Sequence, residues 1–147
     1  MRKSVFAAAV ILLVALAVIV GIYALQNEDG SSPDGRPVTA TMSIAFGQAR
    51  SNTTVTYENL TVTGENATVY GLTMAAAEEG SFNVDTTYYG QYESLLIDGI
   101  DGVANGQNNS YWQYTVNNMA GNVGADKRSI QDGDRVTWTF TESQFGG

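Results

Sequence analysis

Apolar and polar residues alternate from Val38 to Phe46, with Val38, Ala40, Met42, Ile44 and Phe46 all on one side of an extended chain. A period of two is the pattern of a half-buried strand. After Gly47 and Ser51-Asn52, the segment from Thr53 to Thr63 carries Val55, Tyr57, Leu60 and Val62, and its apolar phase slips between Tyr57 and Leu60. A β-bulge near Glu58-Asn59 absorbs such a slip. The spacing then changes to that of a helix. Thr68 suits the cap position, Val69, Leu72 and Ala76 fall on one side, and the helix is predicted to run to Glu79 with Gly80 in the left-handed position that ends it. Glu78 and Glu79 oppose the dipole at that end, which predicts fraying. Strand patterns return at Phe82, Val84 and Thr86, at Glu93 to Ile97, at Tyr111 to Asn117 and at Asp134 to Thr141. Strands, one helix and strands again make an α+β order. No internal repeat is visible.

Ahead of this pattern the chain changes character. Val5 to Leu25 is a run of 21 residues without a charge, preceded by Arg2 and Lys3. A helix of that length is about 30 Å long and spans a bilayer core, with the two cations holding its N-terminus in the cytoplasm. A cleaved signal peptide shares the basic start, but its apolar core is typically about 7–15 residues, and bulky Ile22 occupies the −3 position of the cleavage site that Ala24 would complete. The expected organisation is therefore residues 1–25 as a transmembrane anchor or signal segment, 26–37 as a polar linker containing both prolines, and 38–147 as an extracytoplasmic domain. The expected location is the cell membrane, single-pass, or the medium if the segment is cleaved.

Composition narrows the chemistry. The 147 residues include no cysteine, so neither a disulfide nor a lipidated cysteine helps the outer domain, and its core must suffice. The net charge is −8, and beyond the anchor five cations face fifteen carboxylates, which argues against nucleic acid and anionic lipid as partners. No histidine is present either. The commonest acid/base group, the thiol nucleophile and the usual transition-metal ligands are all missing, so neither an enzyme nor a metal site is expected. The remaining carboxylate pairs, Asp98 with Asp101 and Asp132 with Asp134, read as turn residues beside glycine.

Candidate contact residues are aromatic. Tyr88-Tyr89-Gly90-Gln91-Tyr92 sets amphipathic rings on an adaptable backbone, although Tyr88 equally reads as the end of a strand and its neighbours as cover for the edge of the core. In the Tyr111 to Asn117 strand, Trp112, Tyr114 and Val116 face one way, as Val136, Trp138 and Phe140 do in the last strand, which reads as core. Tyr111 and Gln113 face the other way. Glycosylation sequons stand at Asn52, Asn59, Asn66 and Asn108, a mild excess over the roughly two expected by chance.

From Thr68 to Phe140 the order of motifs resembles the transcobalamin-like C-terminal domain family. The elements are a helix opened by Thr68-Val69, a Phe82/Val84 strand, Ile100-Asp101-Gly102-Val103, Tyr111-Trp112-Gln113-Tyr114 followed by Asn117-Asn118, Val123-Gly124-Ala125, and a closing Asp132-Gly133-Asp134-Arg135-Val136-Thr137-Trp138 strand. The resemblance implies a β-grasp-like mixed sheet curling over one helix, with Val38 to Thr63 as the initial hairpin. It also implies a ligand-binding module for a corrinoid or similar amphipathic small molecule, with no cofactor expected beyond such a bound corrinoid, and it carries the B12 carriers' aromatic-Trp-Gln element onto Tyr111, Trp112 and Gln113. The chain has no length for the carriers' helical barrel, and Thr73 sits where the family's helix tends to be apolar. Corrinoid affinity of this domain alone is therefore expected to be weak or to need a second protein. The alternative is a structural or adhesive cell-surface module whose partner is another envelope protein or glycan.

Overall fold

The computed structural model describes residues 35–143. The candidate span Val5–Leu25 and all but the last three residues of the linker lie outside them. Alternation builds the first hairpin. β1 (Pro37–Ala45) runs antiparallel to β2 (Thr54–Thr63), and the core side of β1 is Val38, Ala40, Met42 and Ile44. Between them a short 3₁₀ turn, Gly47–Arg50, reverses the chain. The phase slip in β2 is a bulge, as expected. Ala40 pairs with Leu60 and Met42 with Tyr57, so Thr41 alone stands opposite Glu58 and Asn59, and Asn59 takes φ +57°.

The helix α1 (Val69–Gly80) starts where the sequence predicts. The Thr68 hydroxyl accepts the Gly71 N–H at 3.0 Å, the Thr68 carbonyl accepts that of Leu72, and a loop further along the chain supplies the carbonyls of Arg128 and Ala125 for the N–H groups of Val69 and Tyr70. All four initial donors are thereby satisfied. The far end corrects two expectations. Ser81, at φ +55°, and not Gly80 takes the left-handed position, and its N–H donates to Glu78 while that of Phe82 donates to Ala77. This is the paired closure of a Schellman motif, so the end is capped and not frayed. Gly80 is required for another reason: a Cβ there would lie 2.2 Å from the Tyr57 hydroxyl.

The remaining strands are β3 (Val84–Tyr89), β4 (Ser94–Ile100), β5 (Val103–Ala104), β6 (Ser110–Val116), β7 (Met119–Ala120) and β8 (Arg135–Glu142). They form two sheets. One is mixed, ordered β2-β1-β8-β6-β7, with β8 parallel to β1 and antiparallel to β6; the other is β3-β4-β5. Asp101-Gly102 and Asn117-Asn118, all at positive φ, turn β4 into β5 and β6 into β7 as two-residue hairpins.

One core serves the helix and both sheets, joining Leu72 and Ala76 of α1 to Ile97 and Ile100 of β4 and to Trp112, Tyr114 and Trp138. Trp112 meets Phe46 edge-on at 5.5 Å between centroids and Phe140 at 5.1 Å. Thr73, the polar exception, is fully buried. Its hydroxyl donates to the Val69 carbonyl at 2.7 Å and accepts the Trp138 indole N–H at 2.9 Å, tying α1 to β8.

Candidate functional site

The β3–β4 hairpin carries most of the exposed aromatic surface. Tyr89 pairs with Ser94 across a four-residue turn closed by hydrogen bonds from Tyr92 N–H to Tyr89 and from Glu93 N–H to Gly90, with Glu93 at φ +48°. At the base of that turn Asp126 fixes the hairpin to the body, its Oδ1 accepting from Ser94 Oγ and Leu95 N–H, each at 3.1 Å. Tyr92 is 71% exposed at the tip, and Tyr88, Tyr89 and Leu96 are exposed behind it. Alternation divides them. Tyr88 shares the face of Leu95 and buried Ile97, whereas Tyr89 shares that of Thr87 and Leu96. The hairpin therefore offers tyrosine on both sides, and the three rings do not form one flat platform.

Strand β6 behaves as its alternation predicts. Tyr111 and Gln113 are exposed, while Trp112 is 7% exposed with its indole N–H donated to the Val103 carbonyl at 2.8 Å. Of the predicted contact residues, Trp112 is thus placed inside, and its ring could meet a ligand only if the core opened. Asn105 joins β6 to the hairpin strands, donating to the Ile97 carbonyl and accepting the Trp112 N–H, each at 2.8 Å. No sequence signal marked Asn105, because its partners lie on two different strands. Leu96 was also missed: Leu95-Leu96-Ile97 is apolar throughout, and no period tells which of the three faces out.

Asp101, Asp132 and Asp134 stand at turns, as expected, but Asp98 lies within β4 and faces β3, where a strand and not a turn holds it. Asp132 Oδ1 accepts the Thr39 N–H at 2.7 Å, Asp134 accepts from Gln131 N–H and Asn117 Nδ2 at 2.8 Å each, and Asp98 accepts the Thr87 hydroxyl. Asp101 pairs with Arg50, whose guanidinium also stacks over Phe46 at 4.3 Å and donates to the Asp101 carbonyl. Burial raises the Tyr114 phenol above its ordinary value, against a lowering by Arg128 and by its hydrogen bond to Val123, and raises Tyr57, with Asp101 and Glu79 adding to it. The four sequon asparagines are all exposed. Asn52, Asn59 and Asn108 stand at positive φ, a conformation asparagine tolerates better than most residues, which accounts for their placement without reference to sugar.

A concavity lies elsewhere. Between β2 and α1 runs a groove of about 540 Å³ lined by Thr61, Val62 and Thr63 on one side and by Tyr70, Met74 and Glu78 among the residues of the other.

These features define an α+β domain with a mixed sheet, one covering helix and a tyrosine-bearing hairpin. Residues 66–142 match a family model described as a domain of unknown function, DUF4430, and the chain belongs to that family. Two solved structures are similar in fold. One, at 1.30 Å, is a protein from Ruminococcus gnavus ATCC 29149 with a provisional metal-binding description; it shares 20% identity at a TM-score of 0.52, covering 72% of this chain and 98% of that one. The other is haptocorrin in complex with Cbi, at 18% identity and a TM-score of 0.57, covering 77% of this chain but 27% of haptocorrin. No curated protein sequence matches the chain.

Proposed function

We propose that this protein is a membrane-anchored, extracytoplasmic binding module, non-catalytic, whose ligand is a small amphipathic molecule of the corrinoid kind. We read its strand order, a hairpin, a helix and a final strand inserted parallel to the first, as β-grasp-like and transcobalamin-related. The observation that carries the reading is strand β6, which holds Trp112 in the core and so turns Tyr111 and Gln113 outward on a rigid element. Likeness in fold to haptocorrin, solved with Cbi, supports the ligand class. Haptocorrin is far longer, so an isolated copy of this domain would hold such a ligand loosely or together with a second protein. Tyr88, Tyr89 and Tyr92 supply the adaptable part of the contact.

Titrating the full-length protein with a corrinoid tests this. Tyr111→Ala and Gln113→Ala are expected to weaken binding about tenfold, roughly 1.4 kcal/mol, with unchanged melting temperature, whereas Trp112→Ala costs about 3–5 kcal/mol of stability. No saturable binding removes the corrinoid reading. A stable Trp112→Ala that loses ligand reverses the assignment of faces.

A second reading, an adhesive module for an envelope glycan, draws on the outer face of the mixed sheet. There Thr39 bonds Thr61 at 3.3 Å and Ser43 bonds Thr56 at 3.0 Å, a hydroxyl-rich surface that β8, with Thr139 and Thr141 paired to Gln113 and Tyr111, joins to strand β6. Retardation of the protein in gels containing neutral polysaccharide, relieved by Tyr111→Ala, would select it.

A further inference from the structure

The groove between β2 and α1 has a composition that the reading above does not use. β2 ends the mixed sheet, so its outer edge has no strand partner among the described residues. Natural proteins guard such edges with charge, proline, lysine or a bulge. Here the guard is the bulge at Glu58-Asn59, which interrupts β2 near its middle and leaves a regular stretch without charge or proline on each side, Thr54 to Tyr57 and Leu60 to Thr63, the latter paired residue for residue with Pro37 to Ala40. Leu60 to Thr63 is the stretch that reaches the groove, through Thr61, Val62 and Thr63.

The opposite wall is a stripe of α1. Tyr70, Met74 and Glu78 stand four residues apart and line the groove, while Val69, Leu72, Thr73 and Ala76 face the core. Met74 is 39% exposed, an adaptable apolar side chain with no core role. Among the groove's lining residues Glu78 is the one charge. It lies in the last turn of α1, which holds no basic residue, so carboxylate and helix-end carbonyls there add to one negative field. Edge strand, apolar wall and a negative end are the parts of strand-addition recognition, in which backbone hydrogen bonds give affinity and side-chain pockets select.

We propose that an extended, lysine- or arginine-bearing peptide segment of a partner protein adds to Leu60–Thr63 as a sixth strand of the mixed sheet. Its apolar side chains rest on Tyr70 and Met74, and its cation meets Glu78. This site is separate from Tyr111 and Gln113, so it stands whether or not a corrinoid binds.

The test uses the full-length protein in nonionic detergent and a fluorescent five-residue probe of alternating valine and lysine, followed by anisotropy. Saturable binding is expected, at least tenfold weaker when valine is replaced by its N-methyl form, which keeps every charge but removes strand hydrogen bonds. Met74→Gln, a good helix former of similar length at an exposed position, should weaken binding about tenfold with the melting temperature nearly unchanged. Glu78→Lys should turn the preference toward a valine-glutamate probe. Absence of binding, equal binding of the N-methylated probe, or indifference to Glu78→Lys overturns the proposal. So does a protein that sediments as a dimer and becomes monomeric with Met74→Gln, which would assign the edge to a second copy.

Discussion

Thr73 has its hydroxyl between two partners that have no other use for one another, the first-turn carbonyl of Val69 and the indole of Trp138. Valine in its place keeps the volume and leaves a buried N–H unpaired, which costs about 1–3 kcal/mol. Urea unfolding of Thr73→Val should show that loss, and Thr73→Ser should recover most of it. Nothing around position 73 announces this role, because the partner is 65 residues away. The facing of Trp112 against Tyr111, by contrast, was legible from alternation alone. Tyr114 adds a pH dependence. Its phenol, buried and donating to the Val123 carbonyl at 2.6 Å, is raised above the ordinary 10.0. The folded state then holds this proton more tightly than the unfolded one. Its contribution is complete below about pH 10 and is lost as pH rises through the folded value. Calorimetry should show a melting temperature falling above pH 10, with a shallower fall in Tyr114→Phe.

At the level of elements, local pattern located every strand longer than two residues and the start of the helix. It placed the bulge as well, since a slip in apolar phase has no other resolution within one strand. Asn59 is the residue that adopts the required φ of +57°. A β-branched residue there pays a steric penalty, so Asn59→Val should destabilise by about 1–2 kcal/mol in chemical denaturation while Asn59→Gly stays near neutral. The two-residue strands β5 and β7 were not legible, being too short for any period. Nor was the helix end, because the glycine that looked like a terminator is needed for the approach of Tyr57. Such a contact between elements leaves no trace in local spacing.

For the whole molecule the α+β order was readable and the arrangement of sheets was not. Alternation tells which face of a strand is buried but not which strand lies beside it, so the separation of β3-β4-β5 from the mixed sheet emerges only in three dimensions. The candidate site divides the same way: the exposure of Tyr111 and Gln113 follows from alternation, whereas that of the hairpin tyrosines, which the sequence leaves open, and the groove at β2 emerge only in the structure. The pairing of β1 with β8 brings together segments at opposite ends of the domain. Because β8 lies between β1 and β6, the last of the described strands forms the middle of the mixed sheet. Until it has been delivered, two hydrophobic edges that will face each other across it stand open, and the earlier strands have no centre to assemble on. Closure of the mixed sheet therefore waits for β8, and whatever compartment receives this domain must shelter the earlier hairpins, with their β8-facing edges open, until that strand arrives.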